Sequence, residues 1–252
     1  MANNREPDLE YAKACLARAK RHCAELRNLT APDTLWGIVE GRDDQTGEWF
    51  ARLYLNKQQL VAASPALADC ANNAASALDH LAAALARANG RGREECKRLY
   101  FPWAFDEPDF QKRLAQVAEA LGPNASAIIS DARRALQVNI PFFEAAKQIS
   151  NQGKHWALVP ATGKAAAVAI QLLEGGQKII GLPNDALQDS DFHEFHRGAT
   201  SLPNGPRVIM VNLTVDGLEG GVPNGVDAIL DCSLRFVKGM IDAFVDSVAS
   251  NA

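Results

Sequence analysis

Residues 61–86 read VAASPALADCANNAASALDHLAAALA, and these 26 positions carry only two charges, Asp69 and Asp79. A helix with one broad face in water needs more charge than that, so the stretch is predicted to run through the centre of the fold. Pro65 suits a first helical turn and Asn89-Gly90 an exit, which sets a helix of roughly 22 residues, about 33 Å long at about 1.5 Å per residue. A membrane span is the poorer reading. Alanine dominates, and Asn72, Asn73, Ser76, Asp79 and His80 fall mid-helix, where lipid would penalise each.

The rest of the chain is read outward from that helix. Across 252 residues, 43 are alanine and only 7% are aromatic, a composition for closely packed helices rather than a sandwich of bulky strands. Leu9 to Leu29 repeats Leu9, Ala12, Leu16, Ala19, Cys23 and Leu26 at helical spacing. Thr34 to Arg42 and Glu48 to Leu55 change to strand character around Asp43-Asp-Gln-Thr-Gly47, so a hairpin is expected. Beyond the central helix, Pro108 to Leu121, Ser126 to Val138 and Pro141 to Asn151 read as short helices packed around it. Lys164 to Leu173, Gln177 to Leu182 and Arg207 to Val215 read as strands, the first two joined by a tight turn at Glu174-Gly-Gly. Residues 183–206 read as a long polar loop, and Val226 to Val248 as a closing helix. The expectation is one α+β domain over residues 1–252: a helical bundle around the Ala-rich helix, an antiparallel sheet from the N-terminal hairpin and C-terminal strands, and a C-terminal helix.

A net charge of −4, with 47% hydrophobic residues, excludes disorder and a strongly basic nucleic-acid domain. The polar opening of the chain and five scattered cysteines without a Cys-x-x-Cys point to a cytoplasmic protein with reduced thiols. Cys15 and Cys23 read as small core residues of the first helix rather than a redox pair.

Three groups of residues could carry chemistry. On the central helix Asp69, Asn73, Ser76 and His80 align as a polar stripe flanked by Asp79, and the surrounding alanines suggest that it is covered. Asn151-Gln-Gly-Lys154-His155 ends a later helix, where lysine and histidine also suit the helix dipole with no function at all. If the two meet, Asp79, His80, Lys154 and His155 could perform acid-base work, with Asn73, Ser76 and Asn151 as ligand-binding groups; a buried hydrogen-bond network is the structural alternative. Third, His193 and His196 stand among carboxylates in the polar loop, a weak zinc or iron pattern lacking a third defined ligand. Arg87, Arg91, Arg93, Lys97 and Arg98 could touch nucleic-acid phosphates, although Glu94 and Glu95 interrupt them and a solvated loop between helices is the better reading, since no aromatic stacking platform stands beside them. No cofactor signature is present: there is no phosphate loop, nucleophile elbow or His-Glu-x-x-His.

Asn73-Ala-Ala-Ser-Ala-Leu-Asp-His-Leu-Ala82, Tyr100-Phe-Pro-Trp103 and Asn151-Gln-Gly-Lys-His155 resemble the landmarks of a family of uncharacterised bacterial proteins, Asn-Leu-Arg-Ser-Ala-Leu-Asp-His-Leu-Ala, Phe-Pro-Ile and Asn-x-x-Asp-Lys-His-Arg. The resemblance spans roughly Leu60 to Pro160 and implies that Asn73, Asp79, His80, Lys154 and His155 form one constellation, without implying an activity. Ala75, Gly153 and Trp156 stand where that pattern has arginine, an acidic residue and arginine. A helical bundle with four to six residues between an arginine and a following histidine would resemble the HEPN ribonucleases, but no histidine here has that partner; Arg18 and His22 have only three residues between them. The expected function is therefore a covered polar site that binds or hydrolyses a small anionic ligand. The alternatives are a degenerate ribonuclease-like or defence-associated nucleic-acid-binding protein and a non-catalytic interaction module.

Overall fold

A computed structural model describes residues 8–154, 166–172, 178–180, 192–202 and 207–249. The elements run α1 (Glu10–Leu29), β1 (Trp36–Arg42), β2 (Trp49–Leu55), α2 (Lys57–Ala88), α3 (Arg93–Cys96), α4 (Glu107–Leu121), α5 (Pro123–Ala135), a 3-10 turn at Gln137–Asn139, α6 (Ile140–Lys154), β3 (Ala166–Leu172), β4 (Lys178–Ile180), β5 (Phe192–Gly198), β6 (Arg207–Asn212) and α7 (Val226–Ala249). The α+β architecture expected from the sequence is present, with α2 packed against α1, α4, α6 and α7. No helix among the described residues is long and apolar enough to cross a membrane.

The central helix is longer than its sequence signals suggest. It starts at Lys57 and spans 32 residues, with Asn56 as N-cap accepting the Gln59 N–H at 3.2 Å. Pro65 therefore lies inside the helix and not in its first turn. The carbonyl that proline leaves without a partner belongs to Val61, which is 71% exposed and can turn to water, so the interruption is tolerated there. Ala66, Cys70, Ala74, Ala77, Leu78, Leu81 and Leu85 are buried, and small side chains on several sides let the neighbouring helices close in. At one end of this core Trp103, Phe143 and Phe236 pack as a trio, with ring centroids 4.6 to 5.4 Å apart, joining the segment after α3 to α6 and α7.

The hairpin forms as expected, with Trp36 opposite Leu55 and Arg42 opposite Trp49. Its third strand is β5, which pairs antiparallel with β2, so part of the predicted polar loop is a strand. A bulge explains why alternation is hard to read there. The register shifts between Ala51 and Arg52, so β5 spends one extra residue opposite β2 and Phe192 and Phe195 lose period-two spacing. The other C-terminal strands make a second antiparallel sheet in the order β4-β3-β6 instead of extending the first. Ile170 faces Ile180 and Leu172 faces Lys178, the register of the predicted hairpin; its turn lies outside the described residues.

Candidate functional site

The polar stripe on α2 is not covered. Asp69 and His80 are exposed and Asn73 and Ser76 half-buried, and Asn73 spends its amide on the Asp69 carbonyl at 2.7 Å. Alanine and leucine pack on the rest of the helix, so this stripe is the strip of α2 left to water. His80 lies beside Tyr11 of α1 on that surface, with stacked rings 6.0 Å apart. The positions that turn inward are Asn72 and Asp79, seven residues apart and about 70° round the helix from the stripe. Asn72 Oδ1 accepts the Ser150 hydroxyl of α6 at 2.7 Å, and Asp79 Oδ1 accepts the backbone N–H of Phe101 at 3.0 Å.

Phe101 begins a strap, residues 101–106, that crosses from α3 to α4 and is pinned at each step. Pro102 supplies a fixed φ, and the Trp103 N–H closes a tight turn onto the Phe101 carbonyl at 2.7 Å. The Trp103 indole N–H donates to Glu144 Oε2 of α6 at 2.8 Å, and its carbonyl accepts Arg113 Nη1 of α4 at 2.8 Å. Arg133 of α5, 3% exposed, donates to the Phe105 carbonyl at 2.9 Å and to Glu107 at 3.0 Å, with its guanidinium 4.2 Å from the Phe110 ring centroid. Asp106 caps α4 by accepting the Asp109 N–H at 2.9 Å.

Between the strap and the helices lies an open cavity of about 500 Å³. Asp79 comes from α2, Tyr100 and Trp103 from the strap and its approach, Asp109 and Arg113 from α4, and Glu144, Lys147 and Asn151 from one face of α6. Asp109 and Arg113 have the spacing of a helical ion pair, yet Arg113 turns instead to a neutral carbonyl. Glu144 is held by neutral donors, Trp103 and Gln148, the latter at 3.3 Å. Residues from all three segments singled out in the sequence line this cavity: Asp79, then Tyr100, Phe101 and Trp103, and Asn151.

The other expected site residues distribute differently. Lys154 closes α6 and His155 lies outside the described residues. His80, Asn73 and Ser76 do not line the cavity. His193 and His196 sit on β5, opposite Leu53 and Ala51, and His196 Nε2 lies 2.9 Å from the Thr200 carbonyl. No group of three metal-ligating side chains occurs among the described residues. In the basic loop, Arg91 bonds Glu119 at 2.6 Å and Glu95 at 3.3 Å, and Lys97 bonds Glu94 at 2.7 Å, while Arg87, Arg93 and Arg98 are exposed. Arg91 therefore ties the loop to α4. Arg113, Glu144 and Lys147 escaped sequence reasoning because each is an ordinary polar residue on an amphipathic helix; the one available signal was the shared face of Glu144, Lys147 and Asn151.

No protein-family model, curated protein or solved structure matches this chain.

Proposed function

We propose that the protein binds a small anionic ligand in the cavity between α2, the strap, α4 and α6. Arg113 carries this reading: its guanidinium lines the cavity and is bonded to a carbonyl rather than to the carboxylate one turn away, so its charge is available to a ligand. Lys147 also lines the cavity, and the Tyr100 and Trp103 rings supply an apolar wall. Of the four carboxylates that line the cavity, Asp79, Asp106 and Glu144 accept N–H donors of the protein. The cysteines, all free thiols, support a cytoplasmic setting, and the family resemblance a bacterial one.

A thermal-shift panel of organic carboxylates and phosphate monoesters tests the reading on wild type, Arg113→Gln and Lys147→Gln. Stabilisation of wild type by at least one anion, weakened about tenfold or more in affinity by Arg113→Gln, is expected. Stabilisation by none, or equal binding to Arg113→Gln, refutes it. Binding of single-stranded RNA that weakens steeply with salt would move the function to the Arg87, Arg93 and Arg98 surface.

A further inference from the structure

The lining of the cavity between α2, the strap, α4 and α6 holds more negative charge than positive. Asp79, Asp106, Asp109 and Glu144 stand there against the guanidinium of Arg113 and the ammonium of Lys147. A ligand that is only an anion meets that excess as repulsion, whereas one that also carries an ammonium group meets it as attraction. Three of the carboxylates are already engaged, Asp79 by the Phe101 N–H, Asp106 by the Asp109 N–H and Glu144 by Trp103 and Gln148. The fourth, Asp109, is exposed, and its carboxylate has no partner among the described residues. A carboxylate in the first turn of α4 suits the helix dipole, but that does not explain why the arginine one turn on bypasses it for the Trp103 carbonyl.

We propose that the ligand is an α-amino acid with an apolar side chain, its carboxylate on Arg113, its ammonium on Asp109 and its side chain against the Tyr100 and Trp103 rings. This rests on the reading of Arg113 as the anion site and adds the second charge. One helical turn sets the β-carbons of Asp109 and Arg113 about 5–6 Å apart, so an acceptor for an ammonium and a donor for a carboxylate stand side by side on the same lining. A small molecule that carries both charges on neighbouring atoms can reach both. The aromatic rings give its side chain an apolar surface, and a cavity of about 500 Å³ is of the size that small-molecule sites have.

The test is isothermal titration calorimetry of the full chain with three probes that share one side chain: phenylalanine, hydrocinnamate, which lacks the ammonium, and phenethylamine, which lacks the carboxylate. Phenylalanine is expected to bind wild type about tenfold or more tightly than either analogue, the loss of one charge-assisted contact. Asp109→Asn is expected to lower phenylalanine to the affinity of hydrocinnamate and to leave hydrocinnamate unchanged. Arg113→Gln is expected to lower phenylalanine to the affinity of phenethylamine. Both residues are exposed, so both variants are expected to fold, and a ratio between probes on one variant is not moved by a general loss of stability. Equal binding of phenylalanine and hydrocinnamate, or an unchanged ratio in Asp109→Asn, overturns the proposal and leaves the anion reading standing. Binding of citrate or glucose 6-phosphate through Arg113 without binding of phenylalanine does the same, and binding of none of these probes overturns both.

Discussion

Replacing Asp79 by alanine removes the acceptor that holds the strap to α2. The amide it serves belongs to Phe101, 6% exposed, and the bond is 3.0 Å to a carboxylate oxygen. A hydrogen bond to a charged partner contributes about 1.5–3 kcal/mol, and its loss leaves a largely buried N–H unpaired. The adjoining open cavity can admit water to that N–H, so the expected cost is the lower part of that range, about 1.5–2 kcal/mol. In a chain of this length that lowers the melting temperature by roughly 3–8 °C. Asp79→Asn keeps an acceptor oxygen and loses the charge, and is expected to cost about half as much. Urea unfolding followed by tryptophan fluorescence measures both. A stability of Asp79→Ala within about 0.5 kcal/mol of wild type would refute the pinning of the strap. Equal losses in both variants would show that the charge, not the hydrogen bond, matters.

Two further outcomes test other parts of the structure. A β-carbon on Gly239 of α7 would lie 2.7 Å from Leu136 Cδ1, so Gly239→Ala sets an overpacking cost of about 1–3 kcal/mol against a helix-propensity gain of about 1 kcal/mol. A net loss is expected that disappears in a Leu136→Ala background, and a gain in both backgrounds would contradict the close approach. In the first sheet, hydrogen bonds from Arg197 and then Arg52 hold the Glu194 carboxyl down to about 2, below its ordinary 4.5. Because the folded value is the lower one, the stabilisation is present above about pH 4.5 and lost as pH falls toward about 2. Denaturation profiles across that window should be flatter for Glu194→Gln, and an unchanged slope would argue against the ion-pair cluster.

The central helix was legible because charge is scarce along it, a property that survives without knowing the neighbours. Its true start was not, since Pro65 is a helix-start signal by itself and only the exposure of Val61 shows why the helix can run through it. The same scarcity of charge misled the reading of the polar stripe: alanine on the other faces made burial of every face plausible, whereas packing leaves one strip in water and turns Asn72 and Asp79 inward. β5 was hidden by its bulge. The cavity was half visible, because Asp79, the Phe-Pro-Trp turn and Asn151 stood out as segments. Arg113 did not, since its meaning comes from bonding the Trp103 carbonyl in place of Asp109, a choice made by tertiary structure.

The most direct test of the ligand cavity uses Trp103 itself as the reporter. With Trp36, Trp49 and Trp156 replaced by phenylalanine, the remaining indole lies in the cavity wall, bonded to Glu144. Titration with citrate and with glucose 6-phosphate is predicted to give a saturable fluorescence change with at least one of them, abolished by Arg113→Gln. A signal that never saturates, or one that Arg113→Gln leaves intact, would contradict the account.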